Sequence, residues 1–183
     1  MKLTRILLLL PLAAFASCSS HPTAQPEGME FEPGLMRLGG AIGFASNGTG
    51  VLNGSAVQLE GTFGYFTSEN IEVGMSGDFD SINISGSADN LEYTALNLFG
   101  RYYTSTYGAT RPYAELSAGL GTASVNSFEE NVTAIAGAIG VMHFIDSDLA
   151  IELELQKSEY LLPDTSGGDT SSWGGSVGLA WFF

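Results

Sequence analysis

The chain has 183 residues, 44% of them hydrophobic and 24 of them glycine, with six basic residues against twenty acidic ones and a formal net charge of −14 at pH 7. That balance repels nucleic-acid phosphate and excludes a nucleic-acid partner; it also lacks the lysine-rich exterior of an ordinary soluble β protein. A single cysteine excludes an intrachain disulfide.

Residues 1–17 carry Lys2 and Arg5, then an apolar run from Ile6 to Phe15, then small residues. This is the pattern of a secretory signal, too short to serve as a mature spanning anchor. Two cleavage readings stand side by side. Ala14-Phe15-Ala16 fits a small-x-small peptidase site, whereas Phe15-Ala16-Ser17-Cys18 resembles the lipobox of bacterial lipoproteins, with Phe15 where leucine is usual. In the second reading Cys18 is acylated and becomes the first residue. Removing residues 1–17 leaves Arg37, Arg101, Arg111 and Lys157 as the only basic residues against the same twenty acids. Residues 18–34 contain three prolines and no hydrophobic period, and are expected to form a flexible periplasmic tether. No later apolar run approaches the length of a spanning helix, so any membrane crossing must be made by strands.

From residue 35 the sequence repeats one theme: about ten alternating residues, then Gly/Asn/Ser/Asp punctuation. Eight runs follow: Met36–Ser46, Ser55–Phe66, Ile71–Ser81, Leu91–Tyr103, Pro112–Ala123, Val132–Phe144, Leu149–Tyr160 and Ser172–Phe183. The connections after the second, fourth and sixth runs are short (Thr67–Asn70, Thr104–Arg111, Ile145–Asp148). Most of the others are longer and rich in Gly, Asn and Ser. An even strand number with short turns at one end and longer loops at the other is the topology of a bacterial outer-membrane barrel.

The last run shows the pattern most clearly. Trp173, Gly175, Val177, Leu179, Trp181 and Phe183 alternate with Gly174, Ser176, Gly178, Ala180 and Phe182. The two tryptophans share one face and are separated by about 26 Å along a strand. With strand tilt, this approaches the roughly 25 Å apolar band between the aromatic girdles of a membrane barrel. In the other runs the bulky faces read Val57/Leu59/Phe63/Tyr65, Ile71/Val73/Met75/Phe79, Leu96/Leu98/Tyr102, Leu116/Leu120, Ile135/Ile139/Val141 and Leu149/Ile151/Leu153/Leu155. The opposite faces are small, with an occasional charge. Small residues suit the interior of an eight-stranded barrel, which is only wide enough for side chains to fill. The apolar faces are therefore expected to look outward. The fold class is all-β: an eight-stranded antiparallel up-and-down transmembrane β-barrel over residues 35–183.

The segments Gly64–Ser76 (GYFTSENIEVGMS), Leu96–Gly121 (LNLFGRYY followed by RPYAELSAGLG), Gly140–Leu155 (GVMHFIDSDLAIELEL) and the terminal VGLAWFF resemble the outer-membrane β-barrel domain family of small OmpA- or OmpX-like proteins. Their shared theme is an aromatic strand end, a short polar turn, and a strand that begins with alternating aliphatics. The resemblance implies the barrel fold and a place in the bacterial outer membrane, among outer-membrane lipids and lipopolysaccharide, with insertion through the C-terminal strand by barrel-insertion machinery. It implies no activity, since such barrels include structural, adhesive and enzymatic members.

Inward positions carry Arg37, Glu60, Glu72, Asp78, Arg101, Glu115, Glu152 and Glu154. Because a charge in a narrow lumen must be paired or watered, Arg37, Glu60, Glu72, Arg101, Glu115, Glu152 and Glu154 are expected to form an ion-pair network that plugs the lumen, with Arg101 and Glu115 as cross-strand neighbours. Tyr65, Tyr102, Trp173, Trp181 and Phe183 are expected in aromatic girdles at the membrane interfaces. His143 is the only histidine in the barrel. Its flanks (Met142, Phe144, Ile145) suit an interfacial residue better than the catalytic histidine of a lipid A deacylase. The acidic residues Asp80, Asp89, Glu129, Glu130, Asp164 and Asp169 fall in the expected outer loops, where they confer solubility or bridge divalent cations to lipopolysaccharide. No catalytic, cofactor or metal site is expected. The leading expectation is a monomeric barrel with a structural or surface-interaction role. The rivals are a deacylase-like enzyme on the same barrel and a soluble lipocalin-like carrier, which requires the bulky faces to point inward.

Overall fold

A computed structural model describes residues 30–49, 54–84, 90–104, 108–125, 128–161 and 170–183. The signal (1–17), Cys18, most of the expected tether, and Asp89, Asp164 and Asp169 lie outside the described residues. Eight strands follow in order: β1 (Met36–Thr49), β2 (Gly54–Phe66), β3 (Ile71–Ile84), β4 (Asn90–Tyr103), β5 (Thr110–Val125), β6 (Phe128–Phe144), β7 (Leu149–Leu161) and β8 (Thr170–Phe182). Each strand pairs antiparallel with the next. β1 also pairs with β8, from Arg37↔Phe182 to Asn47↔Ser172, so the sheet closes into a barrel. Closure satisfies the ladder of backbone donors and acceptors and leaves no edge, which lipid requires of a spanning sheet.

The strands run further towards the loop end than the alternation suggested. β1 continues past Ser46 to Thr49, β3 past Ser81 to Ile84, and β6 begins at Phe128 rather than Val132. Polar residues end the apolar period without ending the hydrogen-bond ladder, because each still offers one N–H and one C=O. Two expectations about the outer-loop acids are corrected. Asp80 is not in a loop but in β3, buried in the lumen, and Glu129 and Glu130 belong to β6. At the other end Arg111 leaves the expected turn and joins β5, with Met142 as its partner in β6.

The two faces of the wall are sharply different. Leu116 and Leu120 are 73% and 72% exposed; Phe44, Leu96, Leu98, Ile139 and Leu179 also look outward. Inward stand Arg37, Glu72, Asn97, Arg101, Glu152 and a series of small residues. A soluble carrier with an apolar cavity has the opposite polarity, which removes the lipocalin-like rival. Inside, large side chains lie where a neighbouring strand offers a glycine. A Cβ at Gly64 would collide with the Glu72 carboxyl group, one at Gly74 with the Phe99 ring, one at Gly119 with the Asn97 amide and one at Gly140 with the Tyr113 ring.

Of the segment expected as a flexible tether over 18–34, Phe31 and Gly34 are held against the barrel. Phe31 is only 2% exposed and sits in the mouth of the barrel at the short-turn end. The chain reaches it through a turn at Pro33-Gly34, where Gly34 has φ +100°, a left-handed conformation that a side chain disfavours. Gly34 N donates to Phe66 O at 2.9 Å, and Phe66 N donates to Leu35 O at 2.9 Å, so the turn continues the sheet. A lone phenylalanine in a proline-rich segment has no period to announce it; only the ring-sized space in the barrel mouth explains its burial.

Candidate functional site

The lumen is built in three layers, beginning at the short-turn end. In the first, Phe31 packs on Phe66 (ring centroids 4.3 Å apart), Tyr103 (4.7 Å), Phe182 (5.7 Å) and Phe144 (6.1 Å). The Arg111 guanidinium lies over the Phe31 ring at 3.9 Å, a cation–π contact in a desolvated setting. Strand alternation divides the aromatic doublets of the sequence between two environments. Phe66, Tyr103 and Phe182 turn inward to this layer, while their neighbours Tyr65, Tyr102, Trp181 and Phe183 turn outward, as does Trp173 near the loop end. The Trp181 indole N–H donates to Asp148 Oδ2 at 3.0 Å, which gives that outward ring the polar partner an interfacial tryptophan requires.

The second layer holds the ion pairs. Arg37 Nε donates to Glu72 Oε1 at 2.7 Å, and its Nη1 donates to both Glu152 oxygens at 3.0 and 2.9 Å. Arg101 Nη1 donates to Glu152 Oε1 at 2.7 Å and its Nε to Glu115 Oε2 at 2.8 Å, and its Nη2 lies 3.6 Å from Glu154 Oε2. Two phenols complete the set: Tyr103 OH donates to Glu72 at 2.7 Å and Tyr113 OH to Glu154 at 2.9 Å. Arg101 also stacks over Tyr113 at 4.0 Å, and Phe99 lies 5.6–5.8 Å from both guanidiniums. Each buried arginine therefore faces more than one carboxylate, which is what makes a desolvated cation tolerable. Six of the seven residues expected in the network meet here. Glu60 does not: it lines the lumen one layer further towards the loops and has no ion pair among the described residues. Arg37 and Arg101 lie nearer the turn end and are already shared among four glutamates.

The third layer surrounds a cavity of about 30 Å³ whose lining includes Glu60, Asp78, Asp80, Tyr93, Asn97 and Tyr160. Asp80 Oδ2 accepts from Gln58 Nε2 at 3.4 Å and from Tyr160 OH at 3.3 Å. Asp78 Oδ2 accepts from the Asn97 amide, which also reaches Ser76 Oγ at 3.3 Å. The Tyr93 and Tyr160 rings meet edge to face, 4.9 Å apart.

His143 faces outward beside the short turns. Its Nδ1 is 2.8 Å from Oγ1 of its cross-strand partner Thr110. Among the described residues no carboxylate orients the ring, and no group of three metal-ligating side chains converges on one point. Phe31, Phe99 and Arg111 were not among the expected site residues. Inward parity alone could have singled out Phe99, and the correct start of β5 could have singled out Arg111.

Closed eight-stranded geometry with an apolar outer wall invites comparison with known proteins. No protein-family model and no curated protein matches the chain by sequence. Among solved structures it is similar to Neisserial surface protein A (NspA), with a TM-score of 0.61 and 14% identity over 81% of this chain and 96% of that one. It is also similar to the N-terminal β-barrel domain of Pseudomonas aeruginosa OprF, with a TM-score of 0.52 and 13% identity over 80% and 97%. Ail, the attachment invasion locus protein of Yersinia pestis, gives 0.52 and 16% over 84% and 100%. The fold is that of a small outer-membrane β-barrel.

Proposed function

We propose that this chain is a non-conducting integral barrel of the bacterial outer membrane, closed at its periplasmic end and acting as a structural or surface-interaction protein through the loops at the other end. The observation that carries the reading is the polarity of the wall: large aliphatic and aromatic side chains outside, and an ion-paired, ring-sealed lumen inside. In water the exposed apolar surface would drive association; against acyl tails it needs no partner. Tyr65, Tyr102, Trp181 and Phe183 mark the periplasmic girdle and Trp173 the outer one, with lipids and lipopolysaccharide as immediate neighbours. The last strand is the segment presented to the insertion machinery, and the barrel acts as a monomer.

Catalysis has little support in this reading, because Thr110 and His143 offer a hydroxyl and an imidazole at the periplasmic rim with no third group among the described residues. The sequence charge also separates this protein from one fold relative. Ail has been crystallised with the heparin analogue sucrose octasulfate, whereas a chain with twenty acidic and six basic residues repels polysulfate. The expected surface partner is cationic or cation-bridged. Envelope fractionation together with a heat-modifiability gel tests the membrane assignment. The protein should partition with the outer membrane, and boiled and unboiled samples should migrate differently. Leu116→Arg, at the most exposed large hydrophobic among the described residues, should reduce insertion, since arginine on the lipid face costs about 2–4 kcal/mol at the midplane. Soluble periplasmic recovery of the wild type would refute the assignment.

A further inference from the structure

The mouth at the turn end holds a guest, the Phe31 ring, and the walls of the mouth do not depend on it for their placement. Phe66 meets Tyr103 with ring centroids 5.5 Å apart and Phe182 at 6.2 Å; Phe182 meets Phe144 at 5.2 Å, and Tyr103 meets Tyr113 at 5.7 Å. Arg111 lies 5.2 Å from the Phe144 ring, and its Nε donates to Gly108 O at 3.4 Å, so it too is positioned by the wall. The Tyr103 hydroxyl ties these side chains to Glu72 in the layer behind. Side chains fixed by one another and by the strands keep the shape of the cup when the ring is out.

The guest is held by one side chain. Glu30, Glu32, Pro33 and Gly34 are exposed, and within this segment only Phe31 is buried. Among the described residues one backbone hydrogen bond joins residues 30–34 to the wall, from Gly34 N to Phe66 O, while that from Leu35 N to Glu32 O stays within the turn. The β1–β8 seam begins beyond it, where Met36 and Phe183 exchange both backbone bonds at 3.0 Å. Gly34, at φ +100°, sets a left-handed turn between the ring and the first strand. An exposed segment with so little hydrogen bonding to its surroundings opens at a lower free energy than the sheet it lies on. What draws it back is burial of the ring, the Arg111 cation over its face, and the attraction between the Glu30 charge and Arg111.

We infer that residues 30–34 are a releasable latch: the Phe31 ring leaves and re-enters the mouth while the barrel stays closed. Burial of the ring keeps the latch shut most of the time. When it is open, the mouth is a cup with aromatic walls and one guanidinium, and the ion pairs of the second layer still span the lumen behind it. The latch belongs to the closed barrel and stands whether or not the outer loops have a surface role.

The test is native-state proteolysis of the full chain folded in zwitterionic detergent micelles. A glutamyl endopeptidase cuts after Glu30 only when the bond to Phe31 is drawn out of the mouth, so the rate follows the open population. The free peptide of residues 28–36 gives the unprotected rate. For a buried phenylalanine the folded chain should be cut roughly 100- to 5,000-fold more slowly than this peptide, and the clipped barrel should keep its folded gel mobility. Arg111→Gln, which removes the cation over the ring, should speed the cut severalfold. Phe31→Ala, scaled to its own peptide, should approach the unprotected rate. Gly119→Ala crowds the Asn97 amide, away from the mouth, and weakens the barrel as a whole; it should leave the protection unchanged. Urea below the unfolding transition should do the same, and it stands in for Gly119→Ala if that variant does not fold. Protection that falls with either, in step with barrel stability, would mean that the ring leaves only when the barrel unfolds, and would overturn the latch. Wild-type cutting as fast as the peptide would overturn it as well, since no ring would then be seated.

Discussion

Glu152 is shared by both lumen arginines, accepting from Arg37 Nη1 on both oxygens and from Arg101 Nη1 on one. Glu115, by contrast, serves Arg101 alone, and Arg101 retains Glu152 without it. The two carboxylates are chemically alike, but their removal should not be equivalent. Glu152→Gln leaves two buried guanidiniums short of charge and should cost about 3–5 kcal/mol, the range for breaking a buried pair. Glu115→Gln should cost clearly less. Urea unfolding of the folded barrel, followed by tryptophan fluorescence, reads the difference; equal losses would mean that Arg101 depends on Glu115 as much as on Glu152. Phe31 is the other residue with consequences beyond its own burial. Its ring contacts residues from β2, β4, β6 and β8, so one side chain of the N-terminal segment ties together half the strands at the turn end.

At the scale of the strands, interior glycines are the complement of interior side chains, and this relation predicts opposite outcomes for one substitution. Gly64 faces inward against the Glu72 carboxyl group, whereas Gly100 faces outward with nothing near its would-be Cβ. Gly64→Ala should destabilise the barrel by about 1–3 kcal/mol through overpacking, and Gly100→Ala should be neutral or mildly stabilising, since an interior strand glycine weakens a strand. Chemical denaturation of the two variants in parallel checks the sign of each. Much of this architecture was readable from the residues, because a strand has a period of two and a closed barrel gives each parity a single environment. Parity placed Arg37, Glu72, Arg101, Glu115, Glu152 and Glu154 inside, and counting back from the turn put Arg101 opposite Glu115. What periodicity does not encode stayed hidden. Phe31 lies in a segment with no period. Phe66, Tyr103 and Phe182 sit beside outward aromatics of the same chemistry, so composition at the strand ends could not divide them. Glu129 and Glu130 looked like loop because a strand that outruns its apolar stretch changes composition before it changes conformation.

For the whole molecule, the proposed non-conducting reading sets two barriers in series along the axis. The aromatic layer closes the turn end, and the ion-pair layer spans the lumen directly behind it, with Arg37 bridging β3 and β7 and Arg101 bridging β5 and β7. Eight strands leave an interior just wide enough for side chains to fill, so these layers decide whether it is open. The wild-type barrel in a planar lipid bilayer should therefore pass no steady potassium current. Phe31→Ala should remain silent as well, because deleting the ring widens only the mouth; its effect should appear as a stability loss of about 3–5 kcal/mol for a buried phenylalanine. Current should appear only when the second layer is also broken, as in Phe31→Ala/Glu152→Gln, where both arginines lose their shared partner. The order of events is what the layering dictates. Conductance in Phe31→Ala alone would mean that the ring is the sole seal and that the ion pairs form a wet, permeable lining. A silent double variant with its folded gel mobility intact would mean that Glu72, Glu115 and Glu154 hold the arginines across the lumen without Glu152.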